Sequence, residues 1–134
     1  LLFTFVGGER VGAVVEVVMI DWARVEELRS EIGDDGLGEV LELFLDEVEL
    51  VVMRLGQKPE KLEDDLHFLK GSAWNLGFAA FGAICNEGEH LAARGMSSEI
   101  DVPAVLESYA KSKAAFMQRV HEFCESCQRR GAVA

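Results

Sequence analysis

One stretch of the chain holds most of the chemistry it offers. In His67-Phe68-Leu69-Lys70-Gly71-Ser72-Ala73-Trp74-Asn75-Leu76-Gly77 an imidazole, an ammonium group and a glycine stand at i, i+3 and i+4. On a helix this spacing puts all three on one face. An imidazole is largely neutral, and so nucleophilic, near neutral pH, because its reference pKa is about 6.5. Such a nitrogen can attack phosphorus. A phosphoryl group arriving on His67 brings negative charge on its equatorial oxygens, and Lys70, one turn away, is a point charge that offsets it. Glycine inside a helix costs roughly 0.5–1 kcal/mol relative to alanine, so Gly71 needs a purpose; clearance beside the imidazole is the simplest.

The elements that position this face follow from apolar periodicity. Leu62, Leu66, Leu69, Ala73 and Leu76 repeat at steps of four and three and define a buried face, which turns His67 outward. Pro59 suits the first turn of this helix, the acidic residues Glu60, Glu63, Asp64 and Asp65 complement its positive end, and Gly77 closes it. Two helices are expected before it. A short one, capped by Asp21, carries Trp22, Val25, Leu28 and Ile32 and stops at Gly33 and the Asp34-Asp35-Gly36 turn. A longer one carries Leu37, Val40, Leu41, Phe44, Val48, Val51 and Leu55 on one face and ends at Gly56; Leu43 and Leu50 form a second strip that covers the first helix or faces a partner. Two helices are expected after it. One has Phe81, Ile84, Cys85, Leu91 and Ala92 on its apolar face and stops at Arg94-Gly95; Ser97 to Asp101 form a loop, and Pro103 opens the last, with Val105, Tyr109, Phe116, Val120, Phe123 and Cys127. Short connections between long amphipathic helices make neighbours antiparallel. The expected fold is all-α, an antiparallel up-down four-helix bundle with a short extra N-terminal helix.

Residues 1–18 differ from the rest. Their β-branched and aromatic runs around Gly7-Gly8-Glu9-Arg10 suit a hairpin, and Glu9, Arg10 and Glu16 argue against a membrane span. They are read as an N-terminal extension, foreign or native, ahead of one domain at 19–134. A chain of 134 residues is long enough for one core and too short to add a nucleotide-binding module. The net charge of −11 argues against nucleic-acid partners, and three cysteines without a regular framework fit a reduced, cytoplasmic protein. A monomer is expected.

His67-x-x-Lys70-Gly71-Ser72 followed by Leu76-Gly77 resembles the signature of histidine-containing phosphotransfer (HPt) domains of multistep two-component phosphorelays. The resemblance extends from Ile20-Asp21-Trp22 through Phe44-Leu45-Asp46-Glu47 to Cys85, Glu89 and Arg94-Gly95. It implies that His67 is phosphorylated at Nε2, that Lys70 supports the phosphoryl group, that Gly71 admits the partner's active site and that Ser72 is a polar helper. It further implies that the partners are receiver domains, one aspartate donating the phosphoryl group and another accepting it. The Mg²⁺ of the transfer then belongs to the receiver, and the chain itself needs no metal or other cofactor. Gly88 departs from the family pattern, which has a larger apolar residue before Glu89, so looser packing is expected there.

Each of these residues also has a plainer reading. A lone histidine on an amphipathic helix is usually a solvated surface residue; the pairing with Lys70 and Gly71 argues otherwise here. Trp74, seven residues after His67, faces the same way and, with Asn75, is either a docking contact or the edge of the bundle. Phe68 and Phe78 suit the core or its rim. Glu63 and Asp64 either steer a receiver or are a solvated first turn. His121, Cys124 and Cys127 have helical spacing but no fourth ligand, which favours packing over metal. Two other functions compete. A histidine kinase needs an ATP site, for which no glycine-rich phosphate loop is present, so the chain is not expected to phosphorylate itself. A helical module that binds receivers without phosphotransfer would need none of the three site residues.

Overall fold

A computed structural model of the chain describes residues 18–124. The hairpin expected in residues 1–18 and the last stripe position, Cys127, lie outside the described residues, Val18 excepted. Among the described residues there are four α-helices and no strand: α1 Trp22–Arg54, α2 Leu62–Leu76, α3 Ala79–Ala93 and α4 Val102–Arg119. Among the described residues no helix is long and apolar enough to cross a membrane. Each helix packs on the next in chain order, as an up-down bundle requires.

The two helices expected before the His67 helix are both present, as two arms of α1 on either side of a kink at Gly33. The Asp21 side chain accepts from the Arg24 N–H and caps it. Gly33, at φ 82° and ψ 167°, breaks the ladder, and helix resumes at once. The expected stop is therefore a single-residue break, and Asp34-Asp35-Gly36 are helical rather than a turn. The long arm buries Leu37, Leu41, Leu45, Val48 and Val51. Leu45 takes the place expected for Val40, which is exposed. The steps 37, 41, 45, 48 follow the 3.6-residue period more closely than a stripe through 40 and 44 does. Leu43 and Leu50 lie on the outer surface with Met53 and do not cover the first arm.

At the middle of the bundle Phe78, fully buried, meets Phe44 edge-on at 5.2 Å and Phe116 at 5.1 Å. Trp22 closes one end, stacked on Phe116 at 5.4 Å and on Phe123 at 5.0 Å, with the Arg119 guanidinium 4.7 Å from its ring centre. Polar ties in the long arm of α1 connect it to its neighbours. Tyr109 Oη and Lys113 Nζ of α4 donate to Glu49 Oε2 at 2.8 and 2.6 Å. Arg54 Nη2 donates to Asp65 Oδ1 of α2 at 2.9 Å. Asp65 is buried, so this member of the acidic first turn is an interhelical partner, whereas Glu60, Glu63 and Asp64 are exposed as expected.

The α2–α3 pair determines the site. All five expected apolar positions of α2 are buried. Gly77 ends α2 in the left-handed region at φ 96°, its carbonyl accepts from the Asp21 N–H at 2.7 Å, and the Phe78 N–H returns to the Ala73 carbonyl at 2.8 Å. α3 then runs back against α2 with Phe81, Gly82, Cys85 and Gly88 buried. A Cβ on Gly82 would collide with the Trp74 indole, and one on Gly88 would stand 2.9 Å from Leu66 Cδ1. The looser packing expected at Gly88 is therefore corrected: the Leu66 and Ile100 side chains occupy the space that a larger residue would fill.

At Gly77 an alanine would incur the left-handed penalty of roughly 1–2 kcal/mol, and its Cβ would lie 2.8 Å from the Asp21 carbonyl oxygen. Gly77→Ala is expected to lower unfolding free energy by about 2 kcal/mol or more in urea titrations, without changing helix content at low urea.

Candidate functional site

The outward face of α2 brings the expected group together and adds a member from α3. His67 stands on the surface, its side chain 69% exposed. Its Nδ1 is 2.7 Å from Glu89 Oε2, and Lys70 Nζ is 2.7 Å from Glu89 Oε1. One carboxylate thus holds both residues, and it is sheltered at 16% exposure. The Lys70 hydrogen bond is the largest influence on the Glu89 carboxyl and, with the His67 bond and both positive charges, holds it below the usual range against the opposing effect of burial. Glu89 is accordingly ionised at neutral pH. An ionised carboxylate only accepts, so Nδ1 of His67 carries the proton it donates, and in the neutral ring the lone pair is then on Nε2. Nε2 has no hydrogen-bond partner among the described residues.

Gly71 opens onto free space: a Cβ there would meet no atom within 4 Å. Nothing inside the fold requires glycine at this position. His67, Phe68, Gly71, Ser72, Trp74 and Asn75 line one shallow depression, joined by Arg24 from α1. Ser72 is half-buried in it. Trp74 combines its two readings: the indole packs over Gly82 of α3, yet the residue remains 47% exposed, and the Lys70 ammonium lies 6.0 Å from its ring centre. Asn75 accepts twice from Arg24, through its carbonyl and its Oδ1. Glu63 and Asp64 lie exposed one turn before His67 and do not line the depression. Phe78 is core and Phe68 is exposed.

The reading of the sequence missed two members of the site. Glu89 entered only as a family landmark, although its place after Cys85 and Gly88 puts it at the edge of the α3 face that meets α2. Arg24 carried no local signal, since its partner lies 51 residues away. The remaining candidates stay outside the site. Cys85 lies beneath it, where burial and then the Glu89 charge push its thiol up to about 12, so it stays protonated and unreactive. His121 is exposed, while Cys124 is buried and donates to the Asp34 carbonyl at 3.1 Å. No group of three or more His, Cys, Asp or Glu among the described residues could hold a metal ion.

The depressed Glu89 pKa has a consequence for stability. A carboxyl whose pKa is lower folded than unfolded contributes fully above its ordinary value of 4.5, and the contribution is lost as pH falls through the folded value. Glu89→Gln is expected to lower stability at pH 6–7 by an amount that holds down to about pH 4.5, and to converge with the parent chain only as pH falls below 4.5 through the folded value of the carboxyl. Urea midpoints measured across pH 7 to 3 check this; a pH-independent difference between the two would contradict it.

The Hpt domain family model matches residues 39–122, well over half of the chain. Comparison with curated proteins and with solved structures gives no match. The matched region contains all of α2 and α3, hence His67, Lys70, Gly71 and Glu89. Four helices packed as a bundle, an exposed histidine held from a second helix and this match agree: the chain belongs to the Hpt domain family, the histidine phosphotransfer intermediates of phosphorelays, which interact with receiver domains and are not kinases.

Proposed function

We propose that His67 is the residue that carries the phosphoryl group, receiving it from a receiver aspartate and passing it to the aspartate of another. The observation that carries this reading is the Glu89 bond to Nδ1, which in the neutral ring puts the lone pair on the other, exposed nitrogen. In the forward step Nε2 attacks phosphorus, the N–P bond forms, and the bond from phosphorus to the aspartyl oxygen breaks, leaving its electron pair on the carboxylate. The ring gains positive charge while keeping its Nδ1 proton, and the Glu89 carboxylate 2.7 Å away offsets that charge. Transfer onward is the reverse, with a second carboxylate attacking phosphorus and the electron pair returning to Nε2.

Lys70 offsets the charge on the phosphoryl oxygens, as the Coulomb attraction of an ammonium one turn away implies. Its bond to the same Glu89 carboxylate keeps it at the site before a partner arrives. The open space at Gly71 supports a role in admitting the receiver, since the fold itself does not need a glycine there. Ser72, Trp74 and Asn75 share the depression and form the proposed docking surface; Glu63 and Asp64 are its outer acidic flank. A monomer, a cytoplasmic setting and the absence of nucleic-acid or membrane partners complete the reading, supported by the net charge of −11.

Incubation with a phosphorylated receiver is expected to give an acid-labile, base-stable label that His67→Gln abolishes; a label that survives this change sinks the assignment. Lys70→Ala is expected to slow transfer at least tenfold with the fold intact, and unchanged rates would remove Lys70 from the mechanism. Gly71→Ala separates stability from function. It is expected to stabilise the free domain by about 0.5–1 kcal/mol through helix propensity and yet to slow exchange with receivers, as rapid-quench kinetics beside urea titrations would show.

A further inference from the structure

One wall of the His67 depression comes from outside the region matched by the family model. Arg24 lies in the first arm of α1, ahead of residues 39–122. Its guanidinium crosses to the end of α2, where Nε donates to the Asn75 carbonyl at 2.8 Å and Nη2 donates to Asn75 Oδ1 at 2.9 Å. Nη1 donates to Glu27 Oε1 at 3.1 Å, and that glutamate is itself well exposed. A guanidinium has five N–H groups in a rigid fork. Three are used, so two have no partner among the described residues, and the side chain remains 28% exposed in the depression. The arm that carries it is fixed at the same end of the bundle: the Asp21 N–H donates to the Gly77 carbonyl and the Ala80 N–H to the Met19 carbonyl.

Arg24 is therefore a pre-oriented cation beside the site, in a chain of net charge −11. It is not placed to serve the phosphoryl group. Asn75 is eight residues beyond His67, about 12 Å along the helix axis, and Lys70 stands much nearer. The anion that suits Arg24 must come from the partner's surface beyond the transferred group, and a planar fork with unused donors fits a carboxylate.

We propose that Arg24, held in orientation by Asn75, is a specificity-determining contact that binds a carboxylate on the surface of the receiver docked over His67. The proposal rests on the reading of His67 as the phosphorylated residue. Glu27 competes for the same guanidinium, so the two residues have opposite effects on docking.

The test is transfer kinetics between the whole chain and phosphorylated receiver domains encoded in the same genome, with KM and kcat separated. Arg24→Gln is expected to raise KM about tenfold, the size of one lost charge-assisted contact, with kcat within about twofold. The difference should shrink as salt is raised. Arg24→Lys should recover part of the affinity at low salt, because it keeps the charge and loses the fork. Glu27→Gln, a surface change, should lower KM about twofold by releasing the guanidinium. Labelling of His67 by phosphoramidate, which needs no receiver, reports the nucleophile and the fold. Normal exchange by the parent chain with the same KM in Arg24→Gln and Glu27→Gln overturns this proposal alone. A fall in kcat and in phosphoramidate labelling together, without a salt-dependent KM, assigns Arg24 to holding the fold and also overturns it. A parent chain labelled by phosphoramidate that exchanges with no receiver overturns the His67 reading, and this proposal with it.

Discussion

The site depends on how closely α2 and α3 approach each other. Gly82 lies under the Trp74 indole and Gly88 against Leu66, so α3 presents almost no side-chain bulk along that line. The next residue after Gly88 is Glu89, which the short distance lets reach the exposed face of α2. A side chain at Gly82 would displace the Trp74 indole, and one at Gly88 the end of the Leu66 side chain, both on the helix that carries His67 and Lys70. Holding one carboxylate 2.7 Å from two residues of the neighbouring helix requires that backbone spacing, and the helix geometry supplies the rest.

That arrangement divides the work by exposure. Glu89, which holds, is sheltered; His67, the proposed nucleophile, stands in solvent at the edge of a shallow depression. Shelter strengthens the hydrogen bonds of the carboxylate and keeps its charge in place. Exposure makes the opposite ring nitrogen available to a second protein. The chain provides a nucleophile, a cation and room, which suits a group that must be handed from one partner's site to another's. The glycine that makes the room lowers helix stability, and the fold accepts this cost beside a well-packed α2 core of Leu62, Leu66, Leu69, Ala73 and Leu76.

The parts of this arrangement that follow a helical period were legible in the sequence. The buried stripe of α2, the outward turn of His67 and the place of Lys70 and Gly71 beside it depend only on residue spacing. The interhelical facts were not. Asp65 shares an acidic turn with Glu63 and Asp64, and only the position of Arg54 on another helix makes it a buried partner. Trp74 could be assigned to a face, but whether it packs or protrudes depends on Gly82 eight residues along. The expectation of looser packing at Gly88 assumes that a missing side chain leaves a gap; here the Leu66 and Ile100 side chains fill it. Arg24 shows the same limit, since nothing within a few residues of it points to Asn75. Gly33 lies between these cases: its effect as a breaker was readable, while its φ/ψ and the immediate resumption of helix were not.

In the proposed mechanism Glu89 keeps the proton on Nδ1 of His67 and so directs phosphorus to Nε2. Long-range ¹H–¹⁵N correlation spectra of the ¹⁵N-labelled chain, recorded before and after phosphorylation, read this directly. The account expects the neutral ring of the free chain to be the Nδ1–H tautomer and the phosphorylated ring to carry phosphorus on Nε2. A neutral Nε2–H ring, or phosphorus on Nδ1, would contradict it.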